Sequence, residues 1–390
     1  MTKTIIDPRA AADGYAGAAG DPGAAEPGLS GTVSGSLAAA LRRSAEIERR
    51  IGEEPQSFRI LTGDRPTGDL HLGHYFGTLG NRVRLQAAGA ELFVLIADYQ
   101  VITDRDATVS DGTGSLGEHV HSLVLDYLAI GIDPARSVIF AHSAVPELNQ
   151  LLLPFLSLVT ASELQRNPTV KDEIAHSRQA AVSGLMLTYP VHQAADILAV
   201  KGNLVPVGQD QLPHVEVTRL VARRFNDRYP GAGGAPVFPE PDALLSGAPL
   251  LLGTDGGKMS KSRGNAITLR ATADETARLV KRAKTDGLRH VSYDPARRPE
   301  VSSLVLLAAL CLGRDPAAVA AEIGDGGAAQ LKRTVTEAVN ERFAPVRARR
   351  AELAADPGYA RQVLREGCER ARAVAAATLE EVRDAMGTRY

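Results

Sequence analysis

The chain has 390 residues, 44% hydrophobic and 23% charged, with a formal net charge of −2. That suits a globular protein of two or three domains with a real core, and argues against polyanion binding by bulk charge, so any RNA contact needs a local basic face. Cys311 and Cys368 lie far apart and nothing approaches 18 consecutive apolar residues, which argues against a disulfide framework, a cysteine zinc site and a membrane, and makes a reducing cytoplasm the expected location.

Residues 1 to about 35 are rich in Ala, Gly, Ser and Pro. Such a segment has too few large apolar side chains to offset its ordering entropy and is expected to be disordered. Leu37, Leu41, Ile47 and Ile51 then recur at helical spacing beside Arg42, Arg43, Arg49 and Arg50. This predicts a short leading helix, with an RNA-contacting arm as the functional alternative, and residues 1–56 form one unit.

The globular part begins near Ser57. Residues 58–61 form a short apolar run that predicts a strand, broken by Gly63, Pro66 and Gly68. His71-Leu72-Gly73-His74 follows, and then helical spacing over 75–84. A strand and loop entering a helix present backbone N–H groups and partial positive charge to an anion. Gly73 permits close approach of a base or phosphate, and His71 and His74 can donate to phosphate oxygens as charge develops.

Residues 91–98 read as a strand buried on both faces, followed by a helix near 120–130, a strand at 137–141 and a helix at 154–164. The alternation predicts an α/β doubly wound, Rossmann-like parallel sheet, in which ligands bind at the carboxyl ends of strands. Asp98, Tyr99 and Gln100 fall at one such end. Tyr189, Gln193 and Asp196 then share one face of a helix expected to start at Pro190. Asp196 stands among apolar residues and is expected to be buried and paired. Residues 204–207 predict another buried strand, with Gly208-Gln209-Asp210-Gln211 at its carboxyl end and a helix over 215–225. Gly208 allows a ribose to approach, Asp210 can accept from its hydroxyls, and Gln211 can meet a substrate's ammonium or carboxylate.

Downstream lies Gly256-Gly-Lys258-Met259-Ser260-Lys261-Ser262-Arg-Gly264, a glycine-flanked loop with two lysines three apart. Helical spacing is expected over 267–283, 302–311, 316–323 and 359–386. Residues 331–390 hold 12 Lys/Arg against 9 Asp/Glu, with Arg347, Arg349 and Arg350 clustered.

His-x-Gly-His with Lys-Met-Ser-Lys-Ser resembles the class I aminoacyl-tRNA synthetases. Tyr189-Pro-x-x-Gln-Ala-Ala-Asp-Ile-Leu198 followed by Val-Pro-Val-Gly-x-Asp-Gln211 narrows the similarity to the tryptophanyl-tRNA synthetases, from about Phe58 onward. The resemblance implies ATP-dependent activation of L-tryptophan and transfer to tRNA(Trp), with Mg2+ held through the ATP phosphates, by a homodimer. It places Arg65, Pro66, Thr67, Gly73 and His74 against ATP, Gly208, Gln209 and Asp210 at the ribose, and Leu250 at the adenine. Lys258 to Ser262 would hold the pyrophosphate. Asp196 would accept the indole N–H, Tyr189 and Gln211 would hold the ammonium and carboxylate, and Gln193 and Gln100 would line the amino-acid pocket. A catalytic domain over 57–265 and a helical anticodon-binding region over 266–390 are implied, with a return of the last helix to the catalytic domain as an option.

The chain departs from the family's pattern at three places: Arg65-Pro-Thr for Gln-Pro-Ser, Gln100 for histidine, and Lys171-Asp-Glu173 for Lys-Asp-Lys. The first motif also has both histidines, where bacterial members often have Thr-Ile-Gly-Asn. Alternatives are a tyrosine–tRNA ligase, a small-molecule nucleotidyltransferase, and a non-charging paralogue that binds tryptophan or a partner protein.

Overall fold

A computed structural model describes residues 31–103, 114–176, 182–245, 251–260 and 263–390. Of the disordered extension expected over 1 to about 35, residues 1–30 lie outside them, as do Leu250, Lys261 and Ser262, while the rest is helical, because the leading helix begins at Gly31.

Helix α1 (Gly31–Glu53) leads to strand β1 (Arg59–Asp64). A continuous helical stretch follows, made of α2 (Leu72–His74), a π turn (Tyr75–Leu79) and α3 (Gly80–Ala88). Then come β2 (Glu91–Ile96), α4 (Leu116–Ile130), β3 (Ser137–Ala141), α5 (Glu147–Leu156), α6 (Ala161–Arg166) and α7 (Pro168–His176). Helix α8 (Gly184–Ala199), β4 (Leu204–Val207), α9 (Leu212–Arg228) and β5 (Asp242–Leu245) complete the sheet region. The remainder is helical: α10 (Ala273–Arg282), α11 (Pro299–Leu312), α12 (Pro316–Ile323), α13 (Gly327–Ala354) and α14 (Pro357–Met386).

The strands form one parallel sheet in the order β3-β2-β1-β4-β5. Successive side chains in a strand face opposite ways, and here both faces are buried. Leu92, Val94 and Ile96 join one core cluster while Phe93 and Leu95 join the other. Ile60 and Leu61, and Ile139 and Phe140, divide in the same manner. The chain leaves β1 for β2 on one side and β4 for β5 on the other, so the crevice outside the carboxyl ends of the adjacent β1 and β4 is the ligand-binding switch point of such a sheet.

Several boundaries differ from the sequence reading. Gly63 does not break β1. It pairs with Leu95, and a Cβ there would stand 2.4 Å from the Leu95 carbonyl oxygen, so the glycine is what lets β2 approach. Pro190 does not start its helix. Ser183 caps α8 by accepting the Met186 N–H, and Pro190 sits inside the helix, where it removes one backbone donor. The expected helix at 154–164 is two: α5 ends at Leu156, and Thr160 opens α6 in a reciprocal cap with Glu163. The helix expected over 267–283 begins only at Ala273, because the Ile267 carbonyl accepts from Leu72 and the Leu269 N–H donates to Leu70. Strand β5 was not anticipated from the sequence; it is short and half-buried along most of its length.

The terminal helices are tied to the sheet. Ile47 and Ile51 of α1 enter the first core cluster, and Ser44 Oγ accepts the Leu245 N–H at 3.0 Å, closing the β5 edge. Helix α14 lies on β3. A Cβ at Gly367 would come 1.9 Å from the Ile139 carbonyl oxygen, so only glycine permits that approach.

Candidate active site

The first motif sits where β1 hands over to α2. His71 and His74 stack with ring centroids 3.6 Å apart. The His71 N–H donates to His74 Nδ1 at 3.1 Å, which leaves the proton of neutral His74 on Nε2, the ring atom that can donate outward. The π turn directly after them holds Tyr75 and Phe76, which meet Phe343 of α13 edge to face. The motif helix is thereby fixed to the C-terminal helices. Beneath β1, Asp64 takes the Arg82 guanidinium at 2.5 Å and the Tyr127 hydroxyl at 2.7 Å. Burial pushes the Asp64 carboxyl up, but Arg82 outweighs it and the net shift is downward.

The second motif comes to the first. A Cβ built on Gly73 would lie 3.4 Å from Met259 Sδ, at van der Waals contact, and 3.1 Å from the His71 ring, which would have to give way, so the glycine keeps the first motif close against the second. His71 also bridges Thr268, four residues past the lysine loop's closing glycine. The loop is built around Asn265, which is almost fully buried. Asn265 donates to Asp255 Oδ1 at 2.6 Å and to the Lys258 carbonyl at 3.1 Å, and accepts from the Ser260 N–H at 2.7 Å. Gly256 holds a positive φ of 84°, and Gly253 leaves no room for a Cβ beside the Asn265 amide. Lys258 is exposed, and its backbone bridges Leu252 across the turn over 254–257.

The carboxyl ends of β2, β3 and β4 gather the remaining candidates. Asp98 is buried and accepts from both the Ser143 N–H (3.1 Å) and its hydroxyl (2.5 Å), so it joins β2 to β3. Tyr99 is 40% exposed and Gln100 half-buried, and the Arg65 guanidinium reaches the Gln100 carbonyl at 3.4 Å. Pro66 is buried and Thr67 half-buried beside it.

Asp196 is 1% exposed and, as expected, paired. Its Oδ1 lies 2.7 Å from His142 Nε2, and its Oδ2 is 3.5 Å from Gln100 Nε2. On the same helix, Tyr189 is buried with its hydroxyl 3.1 Å from His214 Nε2, and Gln193 is half-buried. Past β4, Gly208 is half-buried and Gln209 and Asp210 exposed, while Gln211 donates to Asp210 Oδ2 at 3.1 Å. The Asp210 carbonyl accepts from Thr169.

Four residues of this site were not singled out from the sequence: His142, His192, His214 and Asn265. His142 directly follows β3, so the strand-end rule that selected Asp98 to Gln100 could have found it. His192, on α8, has its ring 4.7 Å from that of His142. Nothing local distinguishes Asn265.

The basic cluster is not a free surface. Arg350 binds Asp126 at 2.6 Å and Ser122 at 2.9 Å, and Arg347 binds Asn340 and Thr276. Asp126 is 2% exposed, so Arg350 serves to pair a buried charge.

A family described as tRNA synthetases class I (W and Y) matches residues 53–344. A tryptophan–tRNA ligase of Treponema pallidum is 44% identical over 333 residues, covering 84% of this chain and 96% of that protein. One from Clostridium longisporum is 42% identical over 339 residues, covering 85% and 97%. Among solved structures, the tryptophanyl-tRNA synthetase of Campylobacter jejuni complexed with ADP and tryptophan superposes with a TM-score of 0.71 at 30% identity, covering 84% of this chain and 99% of that one.

Proposed function

The chain belongs to the class I tRNA synthetases of the W and Y type, and from that membership and the site geometry we infer how it works as a tryptophan–tRNA ligase. The activity consumes ATP. A tryptophan carboxylate oxygen bonds to the α-phosphorus as the bond to the bridging oxygen breaks and pyrophosphate leaves. The terminal ribose hydroxyl of tRNA(Trp) then attacks the acyl carbon and AMP departs.

The protein's part is positioning and charge stabilisation. Asp196 accepts the indole N–H, with Gln100 and Gln193 beside it. Tyr189, held by His214, and Gln211 hold the ammonium and carboxylate. His74, Gly73, Arg65, Pro66 and Thr67 face the nucleotide, with Gly208, Gln209 and Asp210 at the ribose and Leu250 at the adenine. His71 and His74 donate to the phosphates. Lys258 and Lys261, with Met259, Ser260 and Ser262, cover the departing pyrophosphate and release it when the loop opens. Mg2+ would neutralise charge on the ATP phosphates. The only carboxylate of the described lysine loop, Asp255, is engaged by Asn265 and Gly257, which fits an ion held by the phosphates rather than by a protein cage.

Residues 57–265 form the catalytic domain and 266–390 the helical anticodon-binding region, with α14 returning to the sheet. The enzyme works as a homodimer in the cytoplasm. Among the described residues no single helix is long and apolar enough to cross a membrane.

The observation that carries the amino-acid choice is the buried Asp196 carboxylate, whose Oδ2 has, among the described residues, one long contact, to Gln100. ATP–pyrophosphate exchange with each of the twenty amino acids, followed by charging of purified tRNA, tests the reading. Exchange with tryptophan alone and charging of tRNA(Trp) are expected. Exchange with tyrosine would reassign the pocket, and exchange without charging would make the chain a paralogue.

A further inference from the structure

We propose that His142 is a positioning and specificity-determining residue, which aims the Asp196 carboxyl group as an acceptor and so sets the discrimination between tryptophan and substrates without a ring N–H. The proposal rests on the reading of Asp196 given above.

His142 is fully buried at the end of β3, and Asp196 is nearly so on α8. Their 2.7 Å contact gives Oδ1 a strong donor, while among the described residues Oδ2 has only Gln100, at 3.5 Å. A carboxylate held by one oxygen keeps the other in a fixed direction with acceptor capacity to spare. The His142 ring is itself held, by Tyr99 at 6.3 Å and by His192 at 4.7 Å.

The charged groups facing His142 are Asp196 and His192 on α8 and Asp98 at the end of β2. Burial lowers the His142 pKa, but Asp196, with a smaller contribution from Asp98, outweighs it and the net shift is upward. His192 is shifted downward, chiefly by its burial, and neither of its ring nitrogens has a partner among the described residues.

His142, His192 and Asp196 also bring three donor atoms within 4.8 Å of one another. A shared metal would separate two of its ligands by about 3.3 Å, given bonds of about 2 Å at tetrahedral angles. The 2.7 Å contact is instead that of a shared proton.

Removing the donor changes the acceptor. In His142→Leu, Oδ1 is left buried with no donor and the carboxyl group loses the contact that fixes its direction, so Oδ2 is no longer aimed at the indole N–H.

The test is pyrophosphate exchange by the full-length chain with tryptophan and with the analogue carrying sulfur in place of the ring nitrogen. In His142→Leu, kcat/KM for tryptophan is expected to fall about 30- to 100-fold, mostly through KM, and the preference over the analogue to shrink at least about tenfold. His142→Gln restores an N–H toward Oδ1 and should recover most of the loss. Asp196→Ala is run in parallel. If it loses the preference while a folded His142→Leu keeps it, the proposal is overturned. If Asp196→Ala keeps the preference, the reading of Asp196 itself fails. A second measurement does not depend on the leucine variant folding. In 15N-histidine-labelled parent, the signal missing from His142→Gln should show a strongly downfield Nε2–H that moves when tryptophan is added. A signal indifferent to tryptophan overturns the proposal.

Discussion

The Asn265 side chain donates to the Lys258 carbonyl at 3.1 Å, from inside the loop that carries the lysine. The same amide holds Asp255 and Ser260, so three points of the loop hang on one buried side chain. Asn265→Ala is expected to slow adenylate formation about 10- to 100-fold, with the tryptophan KM within about threefold of the parent, because positioning lost from a charged loop is felt mainly in the transition state. Pyrophosphate exchange at saturating and limiting tryptophan separates the two effects. A raised KM at unchanged kcat would place Asn265 in substrate binding instead.

Lys258 itself is expected to act when pyrophosphate leaves. Lys258→Ala should lower the rate of adenylate formation by about 10²- to 10³-fold and leave tryptophan affinity nearly unchanged. Single-turnover formation of the adenylate, compared with tryptophan binding at equilibrium, decides it. Lost affinity with an intact rate would remove the lysine from this step.

Arg350 reads differently in the structure than in the sequence. Its partner Asp126 is 2% exposed, and burial raises the Asp126 carboxyl despite Arg350. Arg350→Ala strands a buried carboxylate and is expected to cost about 3 kcal/mol, as loss of one partner of a buried pair does. Denaturant unfolding measures it. Weakened tRNA charging with unchanged stability would return the residue to a nucleic-acid surface.

The parallel sheet was legible because its strands are apolar on both faces. Residues 137–141 and 204–207 match β3 and β4 at both ends. Helix boundaries were less legible where a proline or glycine has two possible meanings. Pro190 looks like a helix start but is tolerated inside α8, and Gly63 looks like a breaker but makes room for the neighbouring strand. The meeting of the two motifs has a local signal in each, His71 to His74 and Lys258 to Ser260. The supports of the site have none, since His142 meets Asp196 across 54 residues and Arg350 meets Asp126 across 224. Pairings of that range are fixed by the folded core rather than by local pattern.

His214 supplies a stability prediction whose sign can be worked out. It is 1% exposed, and burial lowers its pKa from 6.5 to about 4, against a smaller opposing effect of Asp210. In the unfolded chain the imidazole returns to about 6.5. Above pH 6.5 both states hold it neutral. Between 6.5 and 4 the unfolded state binds the proton and the folded state does not, so stability falls as pH falls through that window and levels off below it. The full effect is about 3 kcal/mol, from 2.5 pH units at about 1.4 kcal/mol each. His214→Gln keeps an amide that can meet the Tyr189 hydroxyl but has nothing to titrate. Its unfolding free energy should therefore drop less between pH 7 and 4.5 than the parent's, by about 2 kcal/mol. Other groups, such as the Glu163 carboxyl paired with Arg224, lower stability in acid in both proteins and cancel in the comparison. Urea unfolding at pH 7, 6, 5 and 4.5 gives both curves. Parallel curves would mean that His214 carries its proton inside the fold, and that the Tyr189 hydroxyl accepts from it rather than donating to it.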